Sequence, residues 1–231
     1  RFTLGTARDR GPVYHWDPRT RGDHEGYVAG YFIESAINHY TMTDGNDLRL
    51  YTAAKKLAVS WLKRETLSPL RDRALYLLGL ANYQYGDRIA SFYNFDELMD
   101  KYPESRYFYP ALDKQYQIAD AFLSGYKRRF MGIPMLSAED EAVEMLFRIQ
   151  QRSPGSPLAE KSLKRTADYY YADAQYDVAV DAYQAFIDRY RRSPDIPQVR
   201  LKKAFAELAQ FHGIKFDVTP AINARTSLEE I

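Results

Sequence analysis

The sequence predicts an all-α fold, an array of helical hairpins stacked as a right-handed α-solenoid. Two observations carry this. Ser68-Pro69-Leu70 recurs as Ser156-Pro157-Leu158, 88 residues on, and the offset holds without a gap for 58 residues. It carries Leu75 onto Leu163, Tyr83 onto Tyr171, Phe95 onto Tyr183, Asp100-Lys101-Tyr102 onto Asp188-Arg189-Tyr190, Ser105 onto Ser193 and Gly125 onto Gly213. Apolar residues also recur at helical spacing between regularly placed turn signals. A chain that repeats one supersecondary unit buries its core by stacking copies, so it works as a surface and not as a pocket around one reactive residue.

Taken in order, residues 1 to about 24 are rich in Arg, Gly, Asp and Pro and lack a period, which predicts a loop or extended arm. From Glu25 the spacing of Tyr27, Tyr31, Ile33, Ile37 and Tyr40 predicts a helix stopped by Thr43-Asp44-Gly45-Asn46. A second helix is expected from Asp47 to about Arg64, burying Leu50, Ala54, Leu57, Ala58, Trp61 and Leu62. Ser68-Pro69 then suits a helix start, a capping hydroxyl before a residue whose missing N–H costs nothing there. Leu75, Leu78, Ala81 and Asn82 follow, then a Gly86-Asp87 turn, then a returning helix with Ala90, Phe95, Leu98 and Met99 closed by Tyr102-Pro103. The second unit, Ser105 to Pro154, is expected to hold a long helix over about Pro110–Phe130, a Gly132-Ile133-Pro134 insertion, and a helix with Ala142, Leu146 and Ile149. The third spans Ser156 to Arg191, with Leu163, Tyr171, Tyr183 and Phe186 expected to repeat a first core of Leu75, Leu78, Tyr83, Phe95 and Leu98. A lone helix over Pro197 to about Phe211 and a short one begun by Thr219-Pro220 complete the chain.

Composition narrows the function. Among 231 residues, Lys+Arg 32 against Asp+Glu 31 leaves a net charge of +1, which argues against a domain built to hold phosphate backbones. The 20 tyrosines and 12 phenylalanines suit inter-helix packing near solvent and partner-facing grooves. The absence of cysteine excludes disulfides, thiolate zinc sites and cysteine nucleophiles. No apolar run approaches the ~20 residues a membrane span needs.

The residues of the first hairpin resemble the tetratricopeptide repeat. Leu75, Leu78, Gly79, Tyr83, Gly86, Asp87, Phe95 and Pro103 stand where that repeat uses apolar, small, aromatic, turn and terminating residues, while Ser91 and, in the third unit, Thr166 depart from it. Gly79 and Ala167 should let paired helices approach, with Phe95 and Tyr183 filling the gap to the next pair. A more particular resemblance covers Trp61 to Ile231. The stretches SPLRDRALYLLG, FDELMDKYPES, QYQIADAFLSGYKRRFMG and MLFRIQQRSPGSPLAEKSLKRTADYYYADAQYD look like the outer-membrane assembly lipoproteins of the BamD type. That resemblance implies a periplasmic tetratricopeptide scaffold at the bacterial outer membrane, held by a lipid anchor that this chain does not contain. It implies the barrel-folding subunit and nascent outer-membrane proteins as partners, and no cofactor. Residues 1–64 differ in character. Asp23-His24-Glu25-Gly26-Tyr27 and the following helix look like one hairpin of the beta-L-arabinofuranosidase-type glycoside hydrolases, (α/α) barrels in which a histidine at the place of His24 lies in the sugar site. That family uses cysteines for its nucleophile and zinc, and this chain has none; Glu25 and Glu34 would stand about 13 Å apart along a helix, beyond the 5–9 Å of paired glycosidase carboxylates. A cap on the repeat stack, or a junction near Lys55–Leu62, is the expectation for this region.

His15, His39 and His212 form no HExxH or i, i+4 pair, so no metal site is expected. The partner-binding candidates begin with the basic run Lys127, Arg128 and Arg129 between Tyr126 and Phe130, expected at a helix end. Tyr170 joins them, because in Tyr169-Tyr170-Tyr171 one ring should face outward. Phe205 and Phe211, with Leu208, lie on a last helix whose outer face no further repeat would bury.

Overall fold

The computed structural model describes Ser35 and residues 48–64, 68–130, 133–136, 138–211 and 217–229. The expected arm and His15, His24, His39 and His212 lie outside them, as does the helix expected from Glu25 apart from Ser35, which is helical and exposed, so the hydrolase-like hairpin is not otherwise described. The described residues form nine helices and one short β-hairpin: α1 Leu48–Arg64, α2 Arg71–Tyr85, α3 Arg88–Lys101, α4 Phe108–Leu123, β1 Arg128–Phe130, β2 Ile133–Leu136, α5 Glu139–Arg152, α6 Pro157–Ala172, α7 Tyr176–Arg189, α8 Ile196–Ala209 and α9 Thr219–Glu229. Helices adjacent in sequence pack on one another as α1–α2, α2–α3, α5–α6, α6–α7, α7–α8 and α8–α9. This is the all-α, tetratricopeptide-like hairpin array expected from the sequence. The bounds of α7 are those of α3 shifted by 88 residues.

The turns show why the hairpins close where they do. After α2, Gly86 is left-handed (φ 86°); its N–H donates to Tyr83 O and that of Asp87 to Asn82 O, which satisfies two terminal carbonyls. The same pair of bonds recurs after α6, from Ala174 to Tyr171 O and from Gln175 to Tyr170 O. There the left-handed residue is Ala174, at φ 58°.

Two expectations about helix ends need correction. Ser68 does not cap α2: its Oγ accepts from the Leu70 N–H at 3.2 Å, and the helix begins only after Leu70. Ser156 does cap α6, accepting from Ala159 N–H at 3.1 Å with Pro157 in the first turn. The long helix over Pro110–Phe130 is likewise shorter. Gly125 turns left-handed (φ 92°), Gly125 N–H bonds Phe122 O and Tyr126 N–H bonds Ala121 O, so α4 stops at Leu123. Tyr126 and Phe130 continue an apolar period, but a glycine in this conformation ends the helix. Of the Gly132-Ile133-Pro134 insertion, Gly132 lies outside the described residues, and Ile133 and Pro134 belong to an antiparallel hairpin pairing Arg128 with Leu136, Arg129 with Pro134 and Phe130 with Ile133.

The chain forms two compact units, one of Arg1–Lys114 with Arg128–Leu136 and one of Gln115–Lys127 with Ser137–Ile231. In the first, Leu75, Leu77, Leu78, Ala81, Phe92, Phe95, Leu98 and Met99 are buried, and α1 contributes Ala58 and Trp61. Leu57, expected inside, is exposed, since it lies one residue, about 100°, round the helix from Ala58. A Cβ on Gly79 would overlap the Phe95 ring, so the small residue at this crossing is obligatory for a phenylalanine there. Ser91, the departure from the repeat pattern, is fully buried and donates its Oγ–H to Gly79 O at 2.8 Å. In the second unit, Leu163, Ala167, Ala179, Tyr183, Phe186, Tyr190, Val199 and Ala206 make one cluster across α6, α7 and α8. Ala142, Leu146 and Ile149 are buried on α5, as expected. The helix over Pro197–Phe211 is not alone, because α9 packs against it as a hairpin partner.

Candidate protein-binding surfaces

The first helices of the hairpins are α2, α4, α6 and α8, and among the described residues their half-buried positions meet neighbouring elements through ring stacks, cation–ring contacts and ion pairs. In the first unit, Tyr76 on α2 stacks on Tyr107, with centroids 4.7 Å apart and rings inclined by 19°. About two turns further along, the Tyr83 ring meets two cations, Arg88 at 3.4 Å and Lys114 at 4.8 Å from its centre. This explains a correction: Tyr83 is half-buried and serves as a platform for charge, not as a sealed core residue. Burial, followed by the charges of Tyr107 and Asp113, holds the Tyr76 hydroxyl above the usual tyrosine range.

In the second unit the corresponding places are ionic. Lys164, 88 residues after Tyr76, bonds Asp195, 88 after Tyr107, at 2.7 Å, and also Gln198 at 2.9 Å. Arg165 reaches from α6 to Asp120 on α4 at 2.6 Å and to Ser124 at 3.2 Å. Asp168 accepts both from the Tyr183 hydroxyl at 2.7 Å and from Lys202 of α8 at 2.8 Å, so three helices meet on one carboxylate. Burial first, and then the bond to Asp168, push the Tyr183 hydroxyl far above the ordinary tyrosine range. Tyr116 is shifted the same way by burial and by Asp120.

None of these groups stood among the sequence candidates, yet the repeat contained their signal. Position 76 and position 107 are Tyr and Tyr in the first copy; their counterparts 164 and 195 are Lys and Asp. Both members of the pair change together, as contacting residues do when a stack is exchanged for an ion pair.

The sequence candidates fall in three places. The ring of Tyr126 is half-buried against Phe122, with centroids 5.9 Å apart, and Lys127 is exposed. Arg128, Arg129 and Phe130 lie on β1 and not at a helix end. None of the three consecutive tyrosines is fully buried or fully exposed: Tyr169, Tyr170 and Tyr171 are all half-buried. Tyr170 packs against the α6–α7–α8 cluster with its ring 5.6 Å from that of Tyr169, and Tyr171 meets Tyr176 edge-on at 5.6 Å. On α8, Phe205 is 45% and Leu208 50% exposed, as the last-helix argument expected, while Phe211 is half-buried. Among the described residues there is no cluster of three or more His, Cys, Asp or Glu placed to hold a metal, and no helix is long and apolar enough to cross a membrane.

No family model and no curated protein matches this chain. Among solved structures it is similar to a MamA RS-1 ArsTM double mutant, at 15% identity over 87% of this chain and 93% of that one, with a TM-score of 0.42. A variant of a Podosopora anserina kinesin light chain protein with nearly identical TPR-like repeats shares 18% identity over 90% and 93%, at a TM-score of 0.43. A thermophilic TPR protein of Thermus thermophilus shares 14% over 85% and 99%, at 0.33. Likeness at these scores transfers neither residues nor partners to this chain.

Proposed function

We propose that this chain is a protein-binding repeat scaffold, and that its place is the periplasmic side of the bacterial outer membrane, in the machinery that assembles β-barrel proteins there. One observation carries the scaffold reading. The hairpins keep a constant frame, with Leu75 and Leu163, Phe95 and Tyr183, and Leu98 and Phe186 buried at matching positions. Where the first helix of one hairpin meets the next hairpin, an aromatic stack is exchanged for an ion pair. A constant frame joined by interchangeable links stacks into an extended surface, which is what a repeat scaffold offers a partner. The assembly role is supported by the resemblance of residues 61–231 to the BamD-type lipoproteins, which names the barrel-folding subunit and nascent outer-membrane proteins as partners.

The segment 126–136 is the partner contact this reading favours. Between Asp120 and Glu139 the sequence holds Lys127, Arg128 and Arg129 and no acidic residue, and it interrupts the array with a β-hairpin that helix stacking does not need. The test is a triple charge reversal, Lys127→Glu, Arg128→Glu and Arg129→Glu, with retention of the barrel-folding subunit in a pull-down and circular dichroism as the folding control. Retention should fall several-fold with helicity unchanged. Undiminished retention would remove this segment from the partner surface.

A further inference from the structure

We propose that α9 is a releasable strap, a helix that leaves α8 while the hairpins before it stay folded, and so controls access to the last first helix. What holds it is small and polar. Of its 11 residues, Ala224 and Ser227 are the buried ones, while Ile222 at 58% and Leu228 at 47% exposed face solvent. Alanine and serine remove little apolar surface from water. A helix of this length is also shorter than the ~12–15 residues at which an isolated helix becomes marginal in water. The helical state of α9 therefore depends on its docking, and the docking is slight.

The polar part of the contact works against itself. Lys203 of α8 pairs with Glu207 Oε1 at 2.9 Å and donates to Ser227 Oγ of α9 at 3.1 Å. The Glu207 side chain is 7% exposed, and its Oε2 is buried with no hydrogen-bond partner among the described residues. Such an oxygen has lost its water and gained no donor in return. Lifting α9 admits water to the pair and returns that hydration, which lowers the cost of opening. The helix beneath is tied in another way. Val199 and Ala206 of α8 belong to the cluster that includes Leu163, Tyr183, Phe186 and Tyr190, and Lys202 pairs with Asp168 of α6 at 2.8 Å. Apolar burial and a well-paired carboxylate thus hold α8 to the array, and the step from tight to loose falls between α8 and α9. Both states of the strap are tolerable, because the open one leaves Lys203 and Glu207 as a solvated i, i+4 pair.

Hydrogen exchange of the full chain, followed by mass spectrometry at rising urea, tests this. Relative to their intrinsic rates, amides of α9 should exchange about tenfold or more faster than those of α6, α7 and α8. Their urea dependence should be shallower, since the opening exposes little surface. The double variant Lys203→Met, Glu207→Leu replaces the half-satisfied pair by apolar side chains that opening would have to expose, and should slow exchange of α9 by about tenfold. Ile222→Gln, at an exposed position on α9, should leave it unchanged. Equal protection and equal urea dependence in α8 and α9 would overturn the proposal, because the two helices would then open as one; that comparison needs no variant. Exchange of α9 as fast in a double variant of unchanged helicity as in the unaltered chain would also overturn it, since the pair would not set the opening.

Discussion

Gly79 lets the Phe95 ring lie against the backbone of α2; 88 residues on, Ala167 and Tyr183 hold the same two places with a methyl and a hydroxyl added. The first solution joins this close steric fit to one bond between the helices, from the Ser91 hydroxyl to Gly79 O at 2.8 Å. The second adds a polar anchor, since the Tyr183 hydroxyl reaches Asp168, which Lys202 of the next first helix also holds. In the first copy the residue at the place of Asp168 is Leu80, and the counterpart of Lys202 is Lys114, which turns to the Tyr83 ring instead. The turns differ in the same spirit. Gly86-Asp87 combines an unstrained left-handed residue with a cap, Asp87 accepting from Ala90 N–H at 3.1 Å, whereas Ala174-Gln175 has neither advantage. One backbone thus tolerates two chemistries, because the frame depends on volume at a few crossings while the links between hairpins depend on matched pairs. Matched pairs can be exchanged only together.

The largest effects should come from breaking the frame. Phe95→Ala should cost about 3–5 kcal/mol in urea denaturation, because the ring is fully buried and its cavity cannot collapse around Gly79. Gly79→Ala should cost roughly 1–3 kcal/mol by overpacking, and less when combined with Phe95→Leu. Additive penalties would mean that the two residues do not share the crossing.

A smaller effect separates the polar anchor from the steric one. Tyr183→Phe keeps the ring and should cost roughly 1–2 kcal/mol by removing one of two donors to Asp168. It should also change the response to alkali. The folded chain holds this phenol neutral far above the usual range, while the unfolded chain ionises it near 10.0. Its contribution is therefore complete below about pH 10 and is lost as pH rises above it. Melts between pH 8 and 11 should fall less steeply for Tyr183→Phe than for the unaltered chain. An identical slope would remove Tyr183 from the alkaline response.

The smallest effect concerns the turns. Ala174→Gly should raise stability by about 0.5–1 kcal/mol, relief of left-handed strain outweighing the added freedom of the unfolded chain. Gly86→Ala should lower it by about 1–2 kcal/mol. Chemical denaturation of the two variants decides this, and stabilisation by both, or by neither, would show that the two turns are not equivalent.

Several features followed from sequence alone. The 88-residue offset, the small residues at Gly79 and Ala167 and the apolar spacing determined the hairpins, the burial of Leu75, Phe95, Leu98, Tyr183 and Phe186, and the exposed stripe on α8, because volume and periodicity are local properties of a chain. Other features were decided by packing in three dimensions. The end of α4 depended on which apolar residues continue a helix and which only mimic its period. The half-burial of Tyr83 and of all three consecutive tyrosines depended on neighbours supplied by Arg88, Lys114, Tyr176 and α8. The convergence of Tyr183 and Lys202 on Asp168 joins residues 15 and 34 positions from it. No spacing rule within one helix marks such a meeting, since the distance that matters is across helices, and only their packing sets it.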